Sequence, residues 1–182
     1  PRKGRGMFAA LKSRLGFGDS PHRRARLLHD AARDAAFRPV WYTEFGVQDT
    51  VDGRFDMLCC MLWLAADRIT GPGGPGRDQL AGLIEAFVTE LDAGLREAGE
   101  SDQTVGRKVQ SMTGAFYGRM KAYGDALSQP VPGDALAAAL LRNVWRGAAV
   151  DPARARHLAD ALYETIDGHD GQAEGGKRDE GD

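Results

Sequence analysis

Residues 49–69 read DTVDGRFDMLCCMLWLAADRI. From Met57 to Ala66 the chain is ten uncharged apolar residues, closed at its ends by Asp56 and Asp67. Val51, Phe55, Leu58, Leu62 and Ile69 recur at helical spacing, while Met57, Met61 and Leu64 fill a second stripe. A helix apolar on nearly every side is one that its own fold encloses. Twenty residues would reach about 30 Å, but this apolar run falls well short of the ~18 residues needed to cross a bilayer. The reading is a central rod wrapped by amphipathic neighbours. Asp49 or Thr50 caps it, and Asp52 in its first turn meets the positive end of the helix dipole.

The flanking sequence supplies those neighbours. Ser20-Pro21 pairs an N-cap hydroxyl with proline at the first helical position and predicts a helix to about Ala36. Arg38-Pro39 interrupts it, and the short apolar piece Val40, Trp41, Phe45 closes at Gly46, a left-handed C-cap. Beyond the central helix, GPGGPG at 71–76 is a loop. Asp78 then begins a helix whose stripe is Leu80, Ile84, Phe87, Leu91 and Leu95, stopped by Gly99. Ser101 and Asp102 cap the longest helix, in which Val105, Val109, Met112, Phe116, Met120, Tyr123 and Leu127 step along one face until Pro130 and Pro132. Asp134 caps a helix carrying Leu136, Leu140, Leu141, Val144 and Trp145, and Asp151-Pro152 starts a last one with Leu158, Leu162 and Ile166. No stretch alternates with period two over a useful length. The prediction is an all-α, single-domain helical bundle over residues 20–167, with a basic arm at 1–19 and a disordered acidic tail at 168–182.

A length of 182 residues, 42% of them hydrophobic and 27% charged, suits one globular domain with a real core. The net charge of −2 conceals a gradient: residues 1–38 carry +7, residues 39–163 carry −4 and residues 164–182 carry −5. Lys12, Arg14, Arg23, Arg24 and Arg26 make the arm a candidate contact for an anionic surface, RNA or lipid headgroups, against the plainer reading of a solvated terminus. The stretch MFAALKSRLGF from Met7 is amphipathic, but it lacks the apolar core and cleavage site of a signal peptide. A short mitochondrial presequence or a weak peripheral anchor stays open.

Little in the sequence points to catalysis. His22, His29, His157 and His169 are scattered outside any metal-binding frame. Asp49, Asp52 and Asp56 suggest a calcium loop, but Val51 takes the place of an oxygen ligand and no glutamate closes the series, so acids at a helix start are the stronger reading. The adjacent Cys59 and Cys60 lie in apolar surroundings that raise a thiol pKa and favour packing over nucleophilic chemistry. Without other thiols to pair with, they suit a reducing compartment. The expectation is a protein that is not an enzyme, with no metal and no cofactor. Three features ask for more than packing. Gly106, Gly114, Gly118 and Ala122 form a row along the longest helix, where each glycine costs up to about 1 kcal/mol against alanine, so something approaches closely: a helix of the same molecule before a foreign one. Asn143 shares the stripe of Leu136 and Leu140 and is expected buried and hydrogen-bonded. Arg54, Arg96, Lys108 and Arg119 recur beside acids near helix junctions, as structural ion pairs or as the polar rim of a cleft.

The blocks GVQDTVDGRFDMLCCMLWLAADRI, LDAGLREAGESDQTVGRKVQSM, AFYGRMKAYGDAL and ALLRNVW resemble, in order and spacing, the ubiquinol-cytochrome c chaperone family. The resemblance covers roughly residues 26–146 and leaves out the arm, the final helix and the tail. It implies a non-enzymatic chaperone that holds newly made cytochrome b and supports assembly of ubiquinol-cytochrome c reductase, respiratory complex III. It also implies a cytoplasmic protein, or one peripheral on the inner face of the inner membrane, or a matrix protein in a eukaryote. The ribosome, the membrane surface and a small partner protein stay open as further partners; DNA is not among them. From the family blocks the candidate client-binding cleft is Asp49, Asp52, Gly53, Arg54, Arg96, Gly99, Asp102, Lys108, Tyr117, Gly118, Arg119, Tyr123 and Asn143. Met112 and Phe116 are expected in the core, and Tyr117, Arg119 and Tyr123 at the surface. The competing reading is a helical adaptor whose basic arm binds ribosomal RNA or anionic membrane while the bundle serves as scaffold.

Overall fold

The structure is a computed structural model that describes residues 20–70, 76–146, 148 and 150–167, with side chains described as far as Leu162. Seven helices follow one another among these residues: α1 Pro21–Ala36, α2 Val40–Thr43, α3 Val51–Thr70, α4 Arg77–Glu97, α5 Asp102–Leu127, α6 Pro132–Asn143 and α7 Pro152–Asp167. None of them is long and apolar enough to cross a membrane. The arm at 1–19, most of the GPGGPG loop and the acidic tail lie outside the described residues.

The central rod is α3. Every residue from Asp56 to Ala66 is buried on it, because α1, α4, α5 and α7 all pack against it. Such a helix has no solvent side, which is why its sequence shows no polar face. Only its first turn departs from the expected stripe, since Val51 is 81% exposed and Phe55 half-buried.

The capping signals act largely as the sequence indicates. Ser20 Oγ accepts from Arg23 N at 3.3 Å, and Pro21 opens α1. Gly46 and Gly99 turn with φ of +73° and +83°, conformations that favour glycine. Asp151 Oδ1 accepts from Ala153 N at 2.9 Å at the head of α7. Two ends differ. Ser101 holds the N-cap position of α5, but its hydroxyl pairs with that of Thr104 at 3.0 Å and makes no cap bond. Helix α6 starts at Pro132, so Asp134 falls in its first turn, where it pairs with Arg156 of α7. That helix ends at Asn143, and Trp145 lies beyond it, buried, its indole N–H donating to Gly46 O at 3.1 Å.

Helix α1 lies along both α3 and α4, and at Gly82 it comes close to α4. A Cβ on Gly82 would stand 2.8 Å from Ala25 Cβ. The buried face of α4 is accordingly Gln79, Gly82, Leu83 and Phe87, one step round from the expected stripe, whose Leu80, Ile84, Leu91 and Leu95 are half-buried. His29 of α1 is buried in the same seam, with Nε2 3.0 Å from Glu90 of α4.

The glycine row of α5 does the opposite of what was expected. Positions 106, 114 and 118 are exposed, and a Cβ at any of them would meet no atom within 4 Å. Among the described residues, no helix approaches these three glycines within 4 Å of a Cβ. Close packing between helices is found instead at Gly82, against Ala25 of α1.

Candidate functional site

Short-range bonds build the start of α3. Thr50 Oγ1 accepts from Gly53 N at 3.1 Å, and Thr50 O accepts from Arg54 N at 2.9 Å. Arg54 turns back to Asp49, its Nε donating at 2.6 Å, and this bond holds the Asp49 carboxyl below the usual range. Gly53 sits under the incoming loop: a Cβ there would stand 2.0 Å from the Gln48 carbonyl oxygen. The loop can fold back over the first turn only because residue 53 has no side chain.

Asp52 and Asp56 follow one turn apart on this helix. Arg146, from the connection between α6 and α7, spans the pair: its NH1 donates to Asp52 at 2.9 Å and its Nε to Asp56 Oδ2 at 3.2 Å. From α5, Arg119 NH2 donates to Asp56 Oδ1 at 2.6 Å, and its NH1 to the Ala115 carbonyl at 3.0 Å. The Asp56 side chain is fully buried, that of Arg119 is 11% exposed and that of Arg146 is 47% exposed. Burial pushes the Asp56 carboxyl above the ordinary value, and the two guanidiniums only partly offset it. Arg146 is held with φ at +50°, the one non-glycine residue in the left-handed region among those described.

Around Arg146 opens a cleft of about 390 Å³, lined by the acids and Gly53, by Gln48, Thr50 and Val51 of the loop and helix start, and by Val144 and Trp145. It is amphipathic, with two carboxylates and a guanidinium set beside an exposed valine and the edge of a buried tryptophan.

The residues singled out from sequence do not converge on one place. Asp52 and Gly53 line the cleft, and Arg119 lies behind it, joined through Asp56. Asp49 and Arg54 pair with each other at its edge. Arg96, Asp102 and Lys108 belong to the α4–α5 turn: Arg96 bonds Asp92 at 2.7 Å and also Asp102, and Lys108 bonds Glu100, with Gly99 making the turn between them. Asn143 is half-buried rather than buried, its amide donating to Ala139 O at 2.9 Å within α6. Tyr117 is at the surface as expected, 50% exposed beside the open Gly118. Tyr123 is not: it is fully buried against Trp63, its hydroxyl 3.6 Å from Cys60 Sγ, because it continues the inward stripe of Phe116 and Met120. Arg119 is likewise inside rather than on the surface. Phe116 is core, and Met112 is half-buried. The cleft at the head of α3 is not lined by Tyr117 or Arg119. Among the basic residues, Arg23 and Arg26 are exposed on α1, Arg24 is half-buried, and Lys12 and Arg14 lie outside the described residues.

Sequence reading missed Asp56 and Arg146. Asp56 looked like the boundary of an apolar run. The available signal was a charge one residue before ten apolar ones, together with the unassigned arginine closing ALLRNVWR.

Fold and site together define an all-α bundle whose central helix is sealed on every side and bears a charged cleft at its N-terminal end. The chain belongs to the ubiquinol-cytochrome c chaperone family, which it matches over residues 43–174. That match takes in the final helix, which the sequence blocks had left outside, and begins after α1. A crystal structure described as the Cbp3 homolog from Brucella abortus is similar, with a TM-score of 0.69 and 30% sequence identity over 88% of this chain and 84% of that one. No curated protein sequence matches the chain.

Proposed function

We propose that this protein holds newly made cytochrome b and supports its assembly into ubiquinol-cytochrome c reductase. The family supplies the chaperone role. The observation that bears on the client is the open face of α5. Gly106, Gly114 and Gly118 weaken that helix by up to about 1 kcal/mol each relative to alanine, and among the described residues no contact offsets the cost. Small residues four apart, here Gly114, Gly118 and Ala122, let a second helix come close enough for backbone-to-backbone packing, the arrangement by which membrane helices recognise one another. Tyr117, half-exposed in the same turn, adds an amphipathic aromatic surface that costs little entropy to order. A helix of the client laid along this row would be held without any chemistry being done on it.

Of the candidate residues, Tyr117 and Gly118 touch the client in this reading, whereas Arg96, Lys108 and Asp102 brace the turn that presents α5. Deleting the gene in its own organism tests the proposal. Assembled reductase, followed by the cytochrome b absorbance of isolated membranes, is expected to fall and to return when the intact gene is restored. A Gly114→Leu, Gly118→Leu double variant, which fills the open row and leaves the core untouched, is expected to fold and fail to restore it. Normal reductase in the deletion strain would overturn the proposal.

A further inference from the structure

We infer that the cleft at the head of α3 is a receptor for the basic flank of a membrane-protein segment, and that Arg146 is the chain's own stand-in for the incoming cation. This rests on the chaperone reading above and adds the chemical feature of the client that is read.

Asp56 holds two guanidiniums that differ in kind. Arg119 is nearly buried, is tied to its own helix through Ala115 O, and lies against the Phe55 ring with its guanidinium carbon 5.3 Å from the centroid. Arg146 is half-exposed, comes from a connection rather than a helix, and reaches the acids from a backbone conformation that costs an arginine free energy. If Arg146 leaves, Asp56 keeps Arg119 and is not stranded as a buried lone charge, so the exchange avoids the large penalty of an unpaired buried carboxylate. The backbone beside it stays anchored, since the Trp145 indole remains bonded to Gly46 O. What Arg146 would vacate is a socket with two carboxylate faces, Asp52 and Asp56, shaped for a planar, bidentate donor. Val51, with 81% of its surface exposed, and Val144 and Trp145 supply an apolar side to the same opening.

A segment carrying arginine or lysine next to apolar residues matches both halves of this cleft. Membrane proteins place such sequences where their hydrophobic helices meet the cytoplasmic side, where lysine and arginine are in excess. A chaperone that meets those helices before insertion has that junction available to bind.

The test uses the full chain and two short fluorescent peptides, one with paired arginines followed by a leucine-valine run, the other with glutamines replacing the arginines. Binding by fluorescence anisotropy is expected for the arginine peptide and about tenfold weaker for the glutamine one. Asp52→Asn is expected to weaken the arginine peptide about fivefold or more, while Arg146→Gln, which removes the internal competitor, strengthens it about threefold or more. Helical circular dichroism and the melting temperature of each variant establish that it is folded. Arg146→Gly, which also accepts the positive φ without strain, serves if Arg146→Gln does not fold. Equal binding of the two peptides, or binding that stays level or weakens on removal of Arg146, overturns the inference. Such a result beside lowered reductase in the deletion strain removes the cleft's role alone, whereas normal reductase there removes the chaperone reading itself.

Discussion

Asp56 shows how much a single buried carboxylate can organise. It joins the central rod to α5 through Arg119 and to the α6–α7 connection through Arg146, partners 63 and 90 positions away in sequence. Asp56→Asn leaves Arg119 buried without a counter-charge and is expected to cost about 3 kcal/mol in chemical denaturation. Arg146→Gln leaves the inner pair intact at a half-exposed site, and a loss of no more than about 1 kcal/mol is expected in the same measurement. Neither residue's role could be read locally, because burial of Asp56 is decided by chain segments that a periodicity argument never brings together. The cysteines were legible, since ten apolar neighbours fix their surroundings. Burial pushes the Cys60 thiol up to about 12 and puts Cys59 and the Tyr123 phenol well above their ordinary values. Unfolded, thiols and phenol ionise near 9 and 10, so the unfolded chain releases protons first. Stability present below about pH 9 is therefore lost as pH rises toward about 12, by up to about 1.4 kcal/mol per pH unit for each group. Denaturation curves at about pH 8 and about pH 10.5 are expected to show this loss, and replacing both cysteines by alanine to reduce it.

Among the elements, helix existence and most caps followed from sequence because each signal is local: Ser20-Pro21, Gly46, Gly99 and Asp151-Pro152 act within a turn of themselves. Rotation of a helix about its axis is not local. The buried face of α4 sits one step from the expected stripe because Gly82 must meet Ala25, and nothing within α4 announces that contact. The same ignorance of neighbours misplaced the close approach on α5. Glycine substitutions distinguish the two helices. Gly82→Ala is expected to destabilise by about 1 kcal/mol despite its better helix propensity, since the α1–α4 seam must open. Gly114→Ala on the open row is expected to stabilise by up to about 1 kcal/mol. Gly53→Ala, pressed against the Gln48 carbonyl, is expected to cost about 2 kcal/mol and to disturb the cleft. Thermal melts of the three variants check all three signs.

The whole molecule is a rod sealed by its neighbours, and that seal limits where a client can bind. The interior along α3 is occupied by the chain's own side chains, and the proposed recognition surfaces are accordingly on the outside, the glycine face of α5 and the cleft at the head of the rod. The family was legible from blocks in register; the exposure of the glycine row was not, because a small-residue row looks the same whether a neighbour covers it or solvent does. A photo-crosslinking residue at position 117, introduced in cells of the source organism, tests the central claim most directly. Position 34, exposed on α1, is the comparison. Cytochrome b trapped from position 117 and not from position 34 is the predicted result. Its absence from the adducts at 117, or equal capture from both positions, would contradict the account.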